Sequence, residues 1–222
     1  MQSPSAAPEQ PIPSQFSGKN DLKRSRMELA IRRRKMMRIA WIVAIPVVIL
    51  VGIGALMRWS RQRAENAPGV YYPSLGQEHI ALKDNPPKPY NSSPPSSGGH
   101  FSQPANWGVY DYEVNDKIFI HNLEHGGVWI AYRPSVPTKV VDELRAIVNE
   151  FGGSKIVMAP RAANDADVAL AAWTRVLKFD LAGGVLSDEQ KNQIRAFYRA
   201  FKNRGPEFVP DAMPGVDPKQ VQ

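Results

Sequence analysis

The sequence predicts an α+β domain, a small and mostly antiparallel sheet packed with two helices, preceded by a single transmembrane helix and a long proline-rich extended segment. Three observations lead there. One uncharged run near the N-terminus is as long as a bilayer core is deep, eight prolines fall between residues 64 and 116, and regular apolar patterning is confined to the residues that follow.

Residues 1–20, rich in Pro, Ser and Gln, read as a disordered cytoplasmic tail, and residues 21–38 as a basic juxtamembrane segment. Residues 39–57 hold 19 consecutive uncharged positions bracketed by Arg38 and Arg58. At about 1.5 Å per residue they reach roughly 28 Å, the depth of the hydrocarbon layer. Pro46, Gly52 and Gly54 would weaken a soluble helix but are tolerated in lipid, where the backbone has few other partners. Nine basic residues lie between Lys19 and Arg38, and three between Arg58 and Arg63, so the N-terminus is expected in the cytoplasm and the rest in a periplasm or outside the cell. A cleaved signal peptide is the competing reading. The apolar run exceeds the usual length and no small-x-small site follows Leu56, which favours an uncleaved signal anchor.

Residues 58–69 are expected to be a linker, residues 70–210 the exported α+β domain, and residues 211–222 a C-terminal tail. Through residue 116 the prolines oppose helix and central strand, so this stretch should lie extended over the core. Lys117–His121 (KIFIH) and Gly127–Arg133 (GVWIAYR) are rich in β-branched and aromatic residues and read as two strands with a tight connection. Thr138–Phe151 places Val140, Val141, Leu144, Ile147, Val148 and Phe151 on one helical face. Ser154–Ala159 reads as a strand, and Leu170–Phe179 is read as another, although Val168, Ala172 and Val176 would equally suit a helix. Ser187-x-x-Gln190 has the form of a capping box, opening a helix with Ile194, Phe197, Tyr198 and Phe201 inward and an end near Gly205-Pro206.

Charge and composition remove several functional classes. The net charge of +7 is carried by residues 1–63, with 12 basic and 3 acidic side chains, whereas residues 64–222 have 16 basic and 18 acidic. A slightly acidic domain gives no electrostatic case for nucleic acid. The absence of Cys removes disulfides, thiolate metal sites, thiol nucleophiles and lipid anchors on sulfur. No phosphate-binding Gly-rich loop and no Gly-x-Ser-x-Gly elbow is present.

The histidines carry the remaining chemistry. There are four, His79, His100, His121 and His125, and none follows in the rest of the chain. Imidazole binds transition metals at neutral pH, so such clustering in a Cys-free domain points to metal. On one straight strand His121 and His125 would stand about 13 Å apart, too far for one ion with bonds of about 2.0 Å. Either a turn at Asn122–Gly127 or a helix would bring them together. The expected ligands are His100, His121 and His125, with His79, Met158 and Met213 as possible additions. A thioether would favour copper, whereas oxygen from Glu124 or Asp111 would favour zinc or iron. Glu124 is expected to stand behind a ligand and orient it.

His121–His125 also fits H-x-x-E-H, the inverted zinc-protease pattern, with Glu124 as general base of a metal-dependent hydrolase; the neighbouring residues favour strand over the helix that pattern requires. Tyr90, Trp107, Tyr110, Tyr112 and Trp129 are read as covering the sheet where the proline-rich segment crosses it. A third reading is an interaction subunit of a membrane assembly, with the arm 83–106 docking a partner. With no convincing nucleophile, a non-enzymatic role in metal handling or in support of a membrane complex is favoured.

Several stretches together resemble a known family. They are Tyr90-x-Ser92-x-Pro94-Pro95-x-Ser97-Gly98-x-His100, Trp107-Gly108-Val109-Tyr110, His121-Asn122-Leu123-Glu124-His125-Gly126-Gly127-Val128 and Tyr132-Arg133-Pro134. The likeness continues through Ala159-Pro160-Arg161, Ala172-Trp173 and Gly205-Pro206-Glu207. This set resembles the membrane-anchored family catalogued as domain of unknown function 3105, over about residues 70 to 210. The resemblance implies a single-span protein with an exported domain and supports singling out His100, His121 and His125. It implies no reaction.

Overall fold

The computed structural model describes residues 17–221, and the chain divides after Glu65 into two units. The first is one helix, α1 (Ser17–Glu65), continuous through Pro46. Its stretch Asp21–Trp59 is long and apolar enough to cross a membrane, and its side chains are exposed throughout. A helix that is apolar all round needs lipid or protein to cover it, so α1 is a candidate membrane anchor. It also takes in the basic segment 21–38 and runs on to Glu65, through residues read as linker. Residues 1–16 of the expected tail lie outside the described residues.

The second unit contains β1 (Val70–Tyr71), β2 (Gly108–Val109), α2 (Asp116–Glu124), β3 (Val128–Tyr132), α3 (Thr138–Glu150), β4 (Ile156–Pro160), β5 (Val168–Ala172), β6 (Arg175–Phe179) and α4 (Asp188–Phe201). The strands form one sheet in the order β1-β6-β5-β3-β4-β2. The class is α+β as expected, but the sheet is mixed. β1/β6, β6/β5 and β5/β3 are antiparallel, whereas β3/β4 and β4/β2 are parallel. The cause is α3, which carries the chain back across the sheet between β3 and β4, the connection that parallel neighbours need.

The largest departure is at 117–121, expected as a strand and found in α2. Asn115 starts this helix by accepting a hydrogen bond from Lys117 N–H, and Asp116 stands at the positive end of its dipole. Every residue from Ile118 to Glu124 is buried. A helix covered on all sides has no polar stripe, so its Ile and Phe run resembles a strand in sequence. The single strand expected over Leu170–Phe179 is instead a hairpin of β5 and β6, turning at Trp173-Thr174 with Thr174 at φ +62°. α3, β4 and α4 form where the periodicity and the capping box put them, and both halves of the Ser187/Gln190 box are made.

Alternation along the strands sorts side chains into two cores. Val128, Ile130, Tyr132, Ile156 and Met158 face α3 and α4. Trp129, Ala131, Val157 and Ala159 face Ile118, Phe119 and Leu123 of α2. The second core is closed by Phe101, Trp107, Tyr110 and Tyr112, so the proline-rich segment does cover the sheet. β3 is consequently buried at all five positions, as a strand covered on both faces must be. The C-terminal segment read as a tail bonds back onto the domain, with Asn106 N–H donating to Val216 O and Val216 N–H to Pro104 O.

Asn122 joins α2 to that segment. Its side chain accepts from Ala105 N–H at 2.9 Å and donates to Ala105 O at 2.8 Å, in a place where both residues are buried. Replacing Asn122 by Leu would leave two buried backbone groups unpaired, at about 1–3 kcal/mol each. Urea unfolding of Asn122→Leu should therefore show a loss of roughly 2–6 kcal/mol, well beyond that of a surface change.

Candidate metal centre

The last turn of α2 brings His121, Glu124 and the C-cap residue His125 to one side of the helix, because residues three and four apart are neighbours there. Against them lie two extended stretches that hold His79 and His100. Ile80 N–H donates to His100 O at 2.8 Å and His100 N–H to Glu78 O at 2.9 Å, an isolated parallel pairing that sets the two histidines side by side. The His100 stretch is itself braced by Tyr90 O–H, which donates to Gly99 O at 2.6 Å.

The result is a compact group. His79, His100, His121 and Glu124 each offer one ligand atom, and these atoms lie within 4.8 Å of one another. Donors around a tetrahedral ion with bonds of 2.0–2.1 Å stand about 3.3 Å apart, so a small inward shift would close the set on a cation. Ring centroids of His79, His100 and His121 are 5.0–5.1 Å apart. His100, His121 and Glu124 are buried, whereas the His79 side chain is 47 % exposed. The group therefore has an interior wall and one open side.

Hydrogen bonds orient the rings. His100 Nδ1 donates to Gly98 O and His121 Nδ1 to Phe101 O, each at 2.8 Å. With Nδ1–H committed to a carbonyl, Nε2 is the nitrogen that faces the group, the arrangement that metal-binding histidines commonly use. His100 Nε2 lies 2.9 Å from Glu124 Oε2, and His79 Nε2 lies 3.7 Å from the same oxygen. Gln77 Nε2 donates to Glu124 Oε1 at 2.8 Å, so both oxygens of the buried carboxylate are engaged.

The electrostatics keep the group ready for a cation. Burial would raise the Glu124 pKa, but hydrogen bonds from His100 and Gln77 and the neighbouring imidazoles outweigh it and hold the carboxyl at about 2. Burial lowers His121 to about 4, helped by His125 and His100 and opposed by its bond to Phe101 O. At neutral pH the site thus presents a carboxylate and a neutral imidazole.

His125 stands one step outside the group of four. Its Nε2 is 3.0 Å from His121 Nε2 and 3.3 Å from Glu207 Oε2. Burial lowers its pKa, with Glu207 opposing and Lys155 adding to the effect. Of the expected additional ligands, His79 joins. Met158 does not, since it is fully buried in the core on the α3/α4 face, away from α2. Met213 is 53 % exposed in the C-terminal segment. Glu124, expected behind a ligand, stands among the ligand atoms.

The α2 terminus is anchored from a distance in sequence. Lys155, fully buried, donates to His125 O at 2.6 Å and Val209 O at 2.7 Å, neutralising the negative end of the helix dipole. Gly126 turns at φ +75°, with Asn203 packed where a Cβ would project. Glu207 N–H donates to Glu124 O at 3.1 Å, and at Gly205 a Cβ would overlap that same carbonyl oxygen. Gln77 and Lys155 are residues that no motif singled out, and Glu207 entered only as part of the family likeness, because their partners lie 30 to 82 residues away.

Fold and site together define an α+β domain with a buried histidine and carboxylate group, following a candidate membrane helix. A family model described as "Protein of unknown function (DUF3105)" matches residues 83–212, and the chain belongs to that family. The matched region contains His100, His121, Glu124, His125 and Glu207, whereas α1 and His79 precede it. No curated protein and no solved structure matches the chain.

The lowered pKa values of His121, His125 and Glu124 dictate an acid sensitivity of the metal-free protein, with His125 acting in the same direction as His121. His121 binds a proton near pH 6.5 when unfolded and only near 4 when folded, so stability falls as pH drops through that window. Glu124 contributes stability fully above its ordinary 4.5 and loses it as pH falls toward 2. Melting temperatures in chelator should therefore decrease from pH 7 to pH 4, and His121→Gln should flatten the decrease between 6.5 and 4.

Proposed function

We propose that this is a single-pass membrane protein, held by an uncleaved signal anchor with its N-terminus in the cytoplasm, whose exported domain binds one transition-metal ion. The ligands are His79, His100, His121 and Glu124. The reading rests chiefly on the convergence of four ligand atoms within 4.8 Å, with the Nδ1 atoms of His100 and His121 fixed by carbonyls. The excess of Lys and Arg before the span supports the orientation.

Three imidazoles and one carboxylate suit zinc, or copper as Cu(II), better than Cu(I), which favours a thioether, and Met158 lies in the opposite core. The role is metal handling at the outer face of the membrane, or support of a membrane complex. α2 makes the H-x-x-E-H segment helical, which would suit a hydrolase, yet Glu124 is held on both oxygens and sits among the ligand atoms. A base must be free to take a proton from water, so this geometry favours a ligand.

Elemental analysis of the untagged full chain in detergent, after dialysis against zinc or copper, should give one ion per chain. His100→Ala with His121→Ala should abolish it. Gln77→Ala, which removes only a hydrogen bond to Glu124, should weaken affinity about 10- to 100-fold while leaving the stoichiometry at saturation unchanged. Wild-type protein without bound metal would overturn the reading.

A further inference from the structure

Beside the group of four, a second set of ligand atoms runs from the buried His121 and His125 to the half-exposed Glu207. His125 Nε2 lies 3.0 Å from His121 Nε2 and 3.3 Å from Glu207 Oε2. Both separations are close to the roughly 3.3 Å between donors on a single tetrahedral ion. This outer set shares His121 with the inner one, and it ends in a carboxylate whose side chain is 47 % exposed.

We propose that His121, His125 and Glu207 form a loading position through which the ion passes into the inner site, pivoting on His121. The proposal rests on the metal-binding reading above and adds the path. One imidazole nitrogen holds one ion at a time, so the two positions are alternatives and the protein binds a single metal. Of the two exposed side chains, His79 and Glu207, only Glu207 carries a negative charge, so it is the one that attracts the hydrated cation. The ion then displaces the proton shared by His125 Nε2 and His121 Nε2, which leaves to water past the exposed Glu207. Exchange of His125 and Glu207 for His100 and Glu124, with His79 completing the set, brings the ion to the buried donors; the proton between His100 Nε2 and Glu124 Oε2 is given up in that step and one returns to the vacated His125 Nε2.

Glu207 is well placed for this. Its N–H bonds to Glu124 O, so the loop that carries the outer carboxylate is docked on the backbone of the inner one. The two positions are thereby held at fixed spacing.

The test measures transfer of Zn²⁺ from a chromophoric chelator to untagged full-length protein in detergent by stopped flow, with affinity from equilibrium competition. Glu207→Gln and His125→Ala should each slow uptake at least tenfold and slow release by the same factor, leaving affinity within about threefold, because a step on the path changes both directions equally. Glu207→His, which restores a ligand atom, should recover the rate and guards against a merely structural effect. Uptake within twofold of wild type in both variants would overturn the loading position while leaving the inner site intact. Loss of affinity from Glu207→Gln as large as that from Glu124→Gln would overturn it too, by making Glu207 a ligand of the final site. Wild-type protein that takes no zinc would overturn both readings.

Discussion

A carboxylate buried to 1 % exposure needs partners on every side, and Glu124 organises this domain around that need. His100 reaches one oxygen from the proline-rich segment, Gln77 reaches the other from the chain just after β1, and both are drawn against the last turn of α2. Remove those bonds and the carboxylate is an unpaired buried charge. With them, three distant stretches are tied at one point, and the imidazoles of His79 and His121 gather round the same oxygen atoms.

The surrounding fold serves to hold α2 still. Its inner face packs on Trp129, Val157 and Ala159 of the sheet, Asn122 clamps Ala105 on the flank, and Lys155 and the 203–209 loop close its C-terminal end. None of these partners is adjacent to α2 in sequence except β3. A site on a short helix gripped this way is rigid, which is what close placement of ligand atoms requires. The same loop leaves Glu207 half in solvent, so rigidity inside coexists with an accessible lip.

Local signals were legible wherever one face of an element meets water. α3 and α4 show their apolar stripes and α4 its capping box, and both occur as read. The proline-rich segment was legible too, because proline forbids the regular alternatives. α2 was not, since burial on all sides leaves no polar stripe by which to tell Ile118, Phe119 and Ile120 from a strand. Reading it as a strand in turn hid the parallel pairing of β3 with β4, and left the meeting of His121 and His125 to a turn that the helix makes unnecessary. In the site, residue type pointed to the histidines, but not to Gln77 or Glu207, whose amide and carboxylate look like any surface polar group until a partner is known.

By itself the chain determined the apolar stretch of α1, the charge asymmetry around it, the two amphipathic helices and the identity of the side chains able to bind a metal. These depend on solvent and on near neighbours, which a linear pattern records. Tertiary structure alone decided that His79 and Glu124 join His100 and His121, that Met158 turns into the opposite core, and that Glu207 reaches His125. Such groupings come from pairings across tens of residues, where the free energy lies in burial and hydrogen bonds between segments and leaves no trace in local spacing.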